Sequence, residues 1–255
     1  MFAPTHLRSG RRDGVLLAMS LLALAGLAWL TLWWWEQSPY GRYLHHDADA
    51  AGLPLPVEGA VFTLGWLVMI VAMMLPSSVP LVLTFRALVG RRRHPVRLVG
   101  VLLVGYLASW TAFGAAAWLA DRGIHALVDA VPWLAGQPRL IMGATLLAAG
   151  LWQFSPLRET CLDACRSPLG FVVDRWTGTA ERRDALRIGL AHGLFCIGCC
   201  WSLMLVMFGV GLGSFSVMLA LGALTAIEKD LPGGRRLTRP LGVGLILAAV
   251  AIVSW

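Results

Sequence analysis

Stretches without a charged residue are the feature of this sequence that most restricts its fold. Six apolar runs of this kind occur, and they cover residues 15–35, 59–85, 98–120, 140–154, 188–227 and 240–255. A helix needs about 20 apolar residues to cross the hydrocarbon core of a bilayer. In lipid the backbone polar groups must pair internally, which favours α-helices over open strands. The sequence therefore predicts an all-α, polytopic transmembrane helix bundle.

The number of helices follows from the lengths of these runs. The run 188–227 is long enough for two crossings, and the glycine-rich segment 209–213 marks the expected hinge between them. Two crossings there bring the total to about seven helices. The runs 140–154 and 240–255 are short for a crossing. A bundle of six helices is therefore the alternative.

The placement of charge indicates the orientation of the chain. It carries 21 lysines and arginines against 14 aspartates and glutamates, a net charge of +7. With the N-terminus in the cytoplasm, all the basic residues except Arg42, Arg122 and Arg139 fall in cytoplasmic segments, as the positive-inside rule requires. We therefore expect a multi-pass protein of a bacterial inner membrane, surrounded by the lipid bilayer. Basic residues at membrane edges, rather than on a soluble face with aromatic residues, argue against nucleic-acid binding.

We expect a single membrane domain over residues 1–255, built from two parts. Residues 1–59 are the first helix and an outer loop, whose His-His-Asp cluster at 45–47 is either part of a solvated polar loop, the favoured interpretation, or a low-affinity docking site for a metal ion. Residues 60–255 are a core bundle with a cytoplasmic loop at 156–187. The sequence does not indicate the oligomeric state.

The densest group of metal-ligand residue types lies in one apolar segment, HGLFCIGCCWSLMLVM, at residues 192–207. At about 100° per residue, five of its side chains share one helical face. These residues are His192, Cys196, Cys199, Cys200 and Met207. Imidazole, thiolate and thioether groups are ligands for soft metals such as Cu(I). The pattern therefore predicts a metal or thiol-redox site inside the bundle.

We expect the ligands of this helix to contribute unequally. Cys196 and Cys199 are the primary metal ligands that we predict. Cys200 and His192 are alternatives for a third ligand, and Met207 is a weak additional one. Buried cysteines also pack as small apolar residues, so packing alone is the simplest competing interpretation.

A second pair of cysteines lies near the predicted cytoplasmic interface. Cys161 and Cys165 are four residues apart between two Ser-Pro steps, which predict where short helices begin. The two thiols therefore share a helical face. We expect this pair to donate or accept the metal on the cytoplasmic side, with Arg158 and Arg166 favouring its thiolates.

Methionines and prolines mark a break in the second helix. Met73 and Met74 precede Pro76 and Pro80 in the segment VAMMLPSSVP. Proline removes a backbone donor and opens the helix, and the freed carbonyl groups need partners such as the adjacent serines. We expect this break to lie beside the cysteine helix, with Met73 and Met74 as weak ligands of Cu(I).

The apolar runs contain no Asp, Glu, Lys or Arg, so we expect no charged side chain beside the thiols of residues 196–200. A buried thiolate without a counter-charge is costly. Three states are therefore open, namely neutral thiols, a disulfide, or thiolates neutralised by a metal. The lack of ionisable groups in the runs also argues against a proton-coupled transporter.

Three segments together resemble a known family, and they are VAMMLPSSVPLVL, SPLRETCLDACRSPLGF and GLAHGLFCIGCCWSLMLVMF. The chain is similar over roughly residues 60–250 to the DUF2182 family of bacterial multi-pass membrane proteins, and the CIGCCW helix is the most specific part of the likeness. Members are described as metal-binding and are sometimes labelled copper chaperones. The resemblance implies a metal-binding role for Cys161, Cys165, His192, Cys196, Cys199, Cys200 and the segment from Met73 to Pro76.

The leading hypothesis is a membrane protein that binds a soft metal, Cu(I) before zinc, and delivers it to a membrane or periplasmic copper protein. The sequence has no phosphate-binding loop, so an ATP-driven pump would need a separate subunit, and it has no HExxH motif of a zinc hydrolase. A binding protein is favoured over an enzyme. One alternative is a membrane thiol-disulfide oxidoreductase that uses Cys196 and Cys199, with Cys161 and Cys165 as a relay. Another is a structural subunit of a membrane complex.

Overall fold

A computed structural model describes residues 5–38, 54–210 and 214–254 of the chain. All the regular elements in these ranges are helical, which confirms the all-α prediction. In chain order they are α1 (Thr5–Glu36), α2 (Leu55–Met73), α3 (Leu75–Leu88), α4 (Pro95–Ala130), α5 (Pro132–Ala135), α6 (Pro138–Trp152), α7 (Pro156–Arg166), α8 (Pro168–Val173), α9 (Glu181–Val210), α10 (Phe215–Asp230), a 3-10 helix (Gly234–Leu237) and α11 (Thr238–Ser254).

Five helical segments of the described chain are long and apolar enough to cross a membrane. They are Arg12–Glu36, Leu55–Met73, Pro95–Ala130, Glu181–Met207 and Gly234–Ser254. Helices α6 and α7 together form a sixth candidate, with a bend of 65° between them. The polytopic membrane bundle is thus confirmed. The count of seven needs α10, which at 16 residues is short for a crossing, and it stays a prediction.

Two sequence predictions fall on residues outside the described ranges. The His-His-Asp cluster at 45–47 is one, and the glycines expected at the hinge lie in or beside the stretch 211–213. Helix α9 ends at Val210 and α10 begins at Phe215. The long apolar run therefore forms two helices, as its length predicted.

Proline determines where many of the helices begin. Helices α2, α3, α4, α6, α7 and α8 each have a proline in the first turn. The first N–H groups of a helix have no intrahelical acceptor, so a residue without an N–H is tolerated there. The two Ser-Pro steps start α7 at Pro156 and α8 at Pro168. The predicted short helix of Cys161 and Cys165 is therefore α7, and it packs against α9.

Helix α9 is in close contact with helices on two sides. A Cβ atom on Gly189 would lie 2.0 Å from the carbonyl oxygen of Leu102 in α4, and a Cβ atom on Gly198 would lie 2.5 Å from the sulfur of Cys161 in α7. Helix α4 is the neighbour at Gly189, because its own Gly105 lets the two backbones meet. Helix α7 is the neighbour at Gly198.

Candidate metal centre

Two helices bring all five cysteines of the chain to one region of the core. All five are free thiols. Cys161 of α7 lies against the α9 backbone at Gly198, and Cys165 of α7 packs against the buried core that contains Cys196, Cys199 and Cys200. The pair predicted as a separate cytoplasmic-side site is therefore continuous with the α9 cysteines. We refer to Cys161, Cys165, Cys196, Cys199 and Cys200 as the thiol cluster.

The three α9 thiols are deeply buried, and two of them bond to their own helix. Cys196, Cys199 and Cys200 are each at most 2% exposed. The sulfurs of Cys199 and Cys200 lie 3.1 Å and 2.9 Å from the carbonyl oxygen of Cys196, to which both donate. The thiols of Cys199 and Cys200 thus have a backbone acceptor, while the sulfur of Cys196 contacts side chains of other helices.

The break between α2 and α3 lies beside the thiol cluster, as the sequence predicted. Met74 is the single residue between the two helices, and its sulfur lies 3.9 Å from that of Cys200. The carbonyl oxygen of Met74 accepts hydrogen bonds from the hydroxyls of Ser77 at 3.0 Å and Ser78 at 3.1 Å. The serines thus satisfy the backbone that the broken helix leaves open.

The other two candidate methionines occupy different positions in the same core. Met73 is buried, and its Cε would lie 3.5 Å from a Cβ atom on Gly222 of α10. Met207 is buried in the same apolar cluster, about 10 Å along α9 from Cys200 at 1.5 Å per residue. The structure brings the sulfur of Met74 to the thiol cluster and places Met73 and Met207 in the surrounding core.

His192 lies one turn before Cys196 in α9, and aromatic side chains enclose its ring. The ring stacks on Tyr106 with centroids 5.5 Å apart and meets the edge of Phe171 at 5.8 Å. Its Nε2 is 3.4 Å from the hydroxyl oxygen of Ser78. Its buried Nδ1 has no hydrogen-bond partner among the described residues. A buried nitrogen left in this way is typical of a site that takes up a water or an ion.

Lys229 of α10 provides a positive charge at the thiol cluster. Its side chain is buried, and its ammonium nitrogen lies 3.0 Å from the sulfur of Cys196 and 3.7 Å from that of Met74. The expectation that no charged side chain accompanies the thiols is therefore wrong. Sequence reasoning assigned Lys229 to a cytoplasmic segment because it follows the uncharged run that ends at Ile227. Instead α10 continues to Asp230 and turns the lysine inward.

Tyr106 of α4 is the second polar neighbour of Cys196 that the sequence did not reveal. Its hydroxyl oxygen lies 3.3 Å from the sulfur of Cys196 and 3.4 Å from the carbonyl oxygen of Met74. A tyrosine inside an apolar run gives no signal of this contact. Lys229 did have a signal in the sequence, because it is the single lysine of the chain.

The two arginines predicted to favour the thiolates of α7 have other partners. Arg158 is buried and pairs with Glu228, with 2.6 Å between guanidinium nitrogen and carboxylate oxygen. Arg166 donates to the carbonyl oxygens of Glu228, Lys229 and Leu231 at the end of α10. The prediction is wrong because a carboxylate and the C-terminal carbonyls of a helix attract guanidinium groups strongly.

Residues 63–252 of the chain match the PpoB2 family, described as copper chaperones. The chain belongs to this copper chaperone family. The match extends from α2 into α11 and contains the whole thiol cluster, Met74 and Lys229. Comparisons with curated proteins and with solved structures find no match. Membership of the PpoB2 family agrees with the copper-chaperone label that the DUF2182 resemblance implied, while the DUF2182 name itself stays a prediction.

The donor groups at this site suit the cargo of a PpoB2 copper chaperone. Thiolate and thioether sulfurs are the ligands that select Cu(I), and the thiol cluster with Met74 supplies both. Among the described residues, no three His, Cys, Asp or Glu side chains are arranged so that they would hold a metal ion together. The thiols of Cys199 and Cys200 point at a backbone carbonyl in this arrangement.

Proposed function

We propose that this member of the copper chaperone family carries copper as Cu(I), bound by the thiolates of Cys196 and Cys199. The observation that carries the proposal is the packing of α7 against α9, which brings Cys161 to Gly198 and Cys165 to the core that contains Cys196 and Cys199. Soft sulfur ligands from two helices suit a soft monovalent ion. Cys200, His192 and Met74 are the candidates for a further ligand.

Copper binding requires a local change at the thiols. Cys199 must turn its sulfur away from the carbonyl oxygen of Cys196, a rotation between staggered rotamers. Two thiols that bind Cu(I) release their two protons as they become thiolates. A sulfur–carbonyl hydrogen bond is thereby exchanged for a metal–sulfur bond, and the helix backbone stays in place.

The α7 cysteines supply further thiols next to the primary pair, to which Cu(I) can be transferred. Cys161 lies against Gly198 of α9, and Cys165, one turn further along α7, packs against the core that contains the primary pair. Successive thiols allow Cu(I) to move by exchange of one sulfur ligand at a time. We propose that Cys165 and Cys161 accept or donate the ion in this way, and that the final partner is a membrane or periplasmic copper protein at a bacterial inner membrane.

The Cu(I) affinity of anaerobically purified protein tests this proposal. We expect Cu(I) affinity, measured against a chromophoric Cu(I) chelator, to fall by about tenfold or more in Cys196→Ser and in Cys199→Ser, since each loses one of two thiolates. Ser202→Ala is the matched control, because Ser202 is a buried polar residue of the same helix. Equal affinity in the wild type and in both cysteine variants would refute the proposal.

A thiol-disulfide oxidoreductase is the second candidate, favoured by the ammonium of Lys229 beside Cys196. A cation next to one of two neighbouring cysteines is typical of redox-active pairs. This alternative predicts a mass shift on alkylation that depends on reductant, in protein that binds no copper. A structural subunit, the remaining alternative, would co-purify stoichiometrically with partners and would still do so after replacement of all the cysteines.

A further inference from the structure

Lys229 is the only lysine of a chain whose other basic residues are all arginine. It is 6% exposed, and its ammonium contacts the sulfurs of Cys196 and Met74. Lysine carries a compact point charge on a flexible stem, whereas arginine carries a broad planar group. The single compact cation of the chain is thus placed against the sulfurs proposed to hold copper.

The neighbouring carboxylate does not neutralise this ammonium, because Glu228 has its own partners. Its Oε2 accepts from Arg158 at 2.6 Å, and its Oε1 accepts from the hydroxyl of Thr238 at 3.0 Å. Glu228 and Arg158 are both buried and form a closed pair. The other nearby carboxylate, Asp230, is exposed to solvent, which weakens its interaction with Lys229. The buried ammonium therefore acts mainly on the sulfurs.

Helix α7 fixes the position of this charge relative to the thiols. Arg158, near its start, holds the side chain of Glu228, and Arg166, at its end, holds the carbonyl oxygens of Glu228 and Lys229. The same helix carries Cys161 and Cys165. Helix α7 thus holds the end of α10, which carries the ammonium, next to its own two thiols and to α9.

We propose that Lys229 is the specificity-determining residue of the site, a resident cation that makes it selective for a monovalent soft ion over a divalent one. The inference rests on the proposed function. Two thiolates, one ammonium and one Cu(I) sum to zero charge. Zn(II) in place of Cu(I) leaves one positive charge uncompensated in the core, which is costly.

Removal of the ammonium reverses this preference. Two thiolates and a divalent ion are then neutral, whereas two thiolates and Cu(I) leave a net negative charge. The loss of a neighbouring positive charge also removes a direct repulsion that acts on a divalent ion twice as strongly as on a monovalent one. Neutral substitutions of Lys229 must therefore favour divalent ions.

The test compares Ag(I) and Cd(II), two soft ions of different charge, on full-length protein in detergent. We expect Lys229→Gln and Lys229→Leu to shift the ratio of Ag(I) to Cd(II) affinity by about a hundredfold toward Cd(II). Lys229→Arg keeps the charge and should keep the wild-type preference. Size-exclusion profiles and thermal unfolding establish which variants are folded.

The outcomes separate this inference from the proposed function. An unchanged ratio in a folded neutral variant overturns the role of Lys229 and leaves copper binding standing. Ag(I) binding that does not depend on Cys196 and Cys199 contradicts the proposed function itself. The wild type provides a check without any variant, since selective uptake of Ag(I) from an equimolar mixture supports the inference and equal uptake of both ions overturns it.

Discussion

At the scale of single residues, the ion pair between Arg158 and Glu228 ties α7 to α10. The side chains are 1% and 2% exposed. Removing one partner of a buried pair leaves the other charge without compensation, which typically costs about 3–5 kcal/mol. We expect Arg158→Leu to lower the free energy of unfolding by this amount, measured by denaturant titration in detergent.

Two controls accompany this substitution. Arg235→Gln removes an exposed pair with Asp163, whose side chains are 49% and 52% exposed, and it should cost about 1 kcal/mol or less. The double variant Arg158→Leu with Glu228→Leu should recover much of the loss, because no charge is left unpaired. A single variant as stable as the wild type would show that this pair does not hold the two helices.

At the scale of helices, the contact between α4 and α9 supports the cysteine helix. A Cβ atom on Gly189 would clash with the backbone carbonyl of Leu102, which is 2.0 Å away and has no rotamer to change. We expect Gly189→Ala to destabilise the protein by about 1–3 kcal/mol, as overpacking typically does. Thermal unfolding and the fraction of monodisperse protein measure the effect.

The matched control for Gly189 is Gly100, another helical glycine, which lies in α4. A Cβ atom there would have no atom within 4 Å. Gly100→Ala should be neutral or should stabilise the helix by up to about 1 kcal/mol, because alanine has the higher helix propensity. If both substitutions have the same effect, the close approach of α4 and α9 does not matter for stability.

The sequence predicts the ends and faces of single helices better than it predicts the contacts between helices. Local chemistry predicted the ends of α7, because Ser-Pro steps start helices whatever surrounds them. Helical periodicity predicted that Cys196, Cys199 and Cys200 share a face. The meeting of the α7 cysteines with α9 depends on how α7 packs after its 65° bend from α6, and no local sequence pattern predicts that angle.

Lys229 illustrates a limit of charge patterning in membrane sequences. A basic residue just after an apolar run is normally cytoplasmic, and this rule placed Lys229 outside the bundle. Tertiary contacts override the rule here, because Arg158 and Arg166 fix the end of α10 and the thiols provide a partner for the ammonium. Its status as the single lysine was the signal in the sequence.

At the scale of the whole molecule, the orientation in the membrane is a prediction from arginine placement. The buried position of the only lysine offers a direct test, because amine labelling has a low background. Arg92→Lys and Arg139→Lys each add one lysine at an exposed position. With the N-terminus in the cytoplasm, an impermeant amine reagent should label the lysine at 139 in intact spheroplasts.

The lysine at 92 should react only in inverted vesicles, which makes the two variants controls for each other. Labelling of the wild-type protein gives the background that comes from Lys229 and from the N-terminal amine. Labelling of the lysine at 92 from the outside, with protection of the one at 139, would reverse the predicted orientation.

The most direct measurement on the central claim is X-ray absorption at the copper edge of Cu(I)-loaded protein. Binding by Cys196 and Cys199 predicts a first shell dominated by sulfur in the wild type. In Cys196→Ser that shell should lose sulfur, and in Ser202→Ala it should be unchanged. A first shell of nitrogen and oxygen in the wild type, or a sulfur shell that survives replacement of both cysteines, would contradict the thiol cluster as the place where the cargo binds.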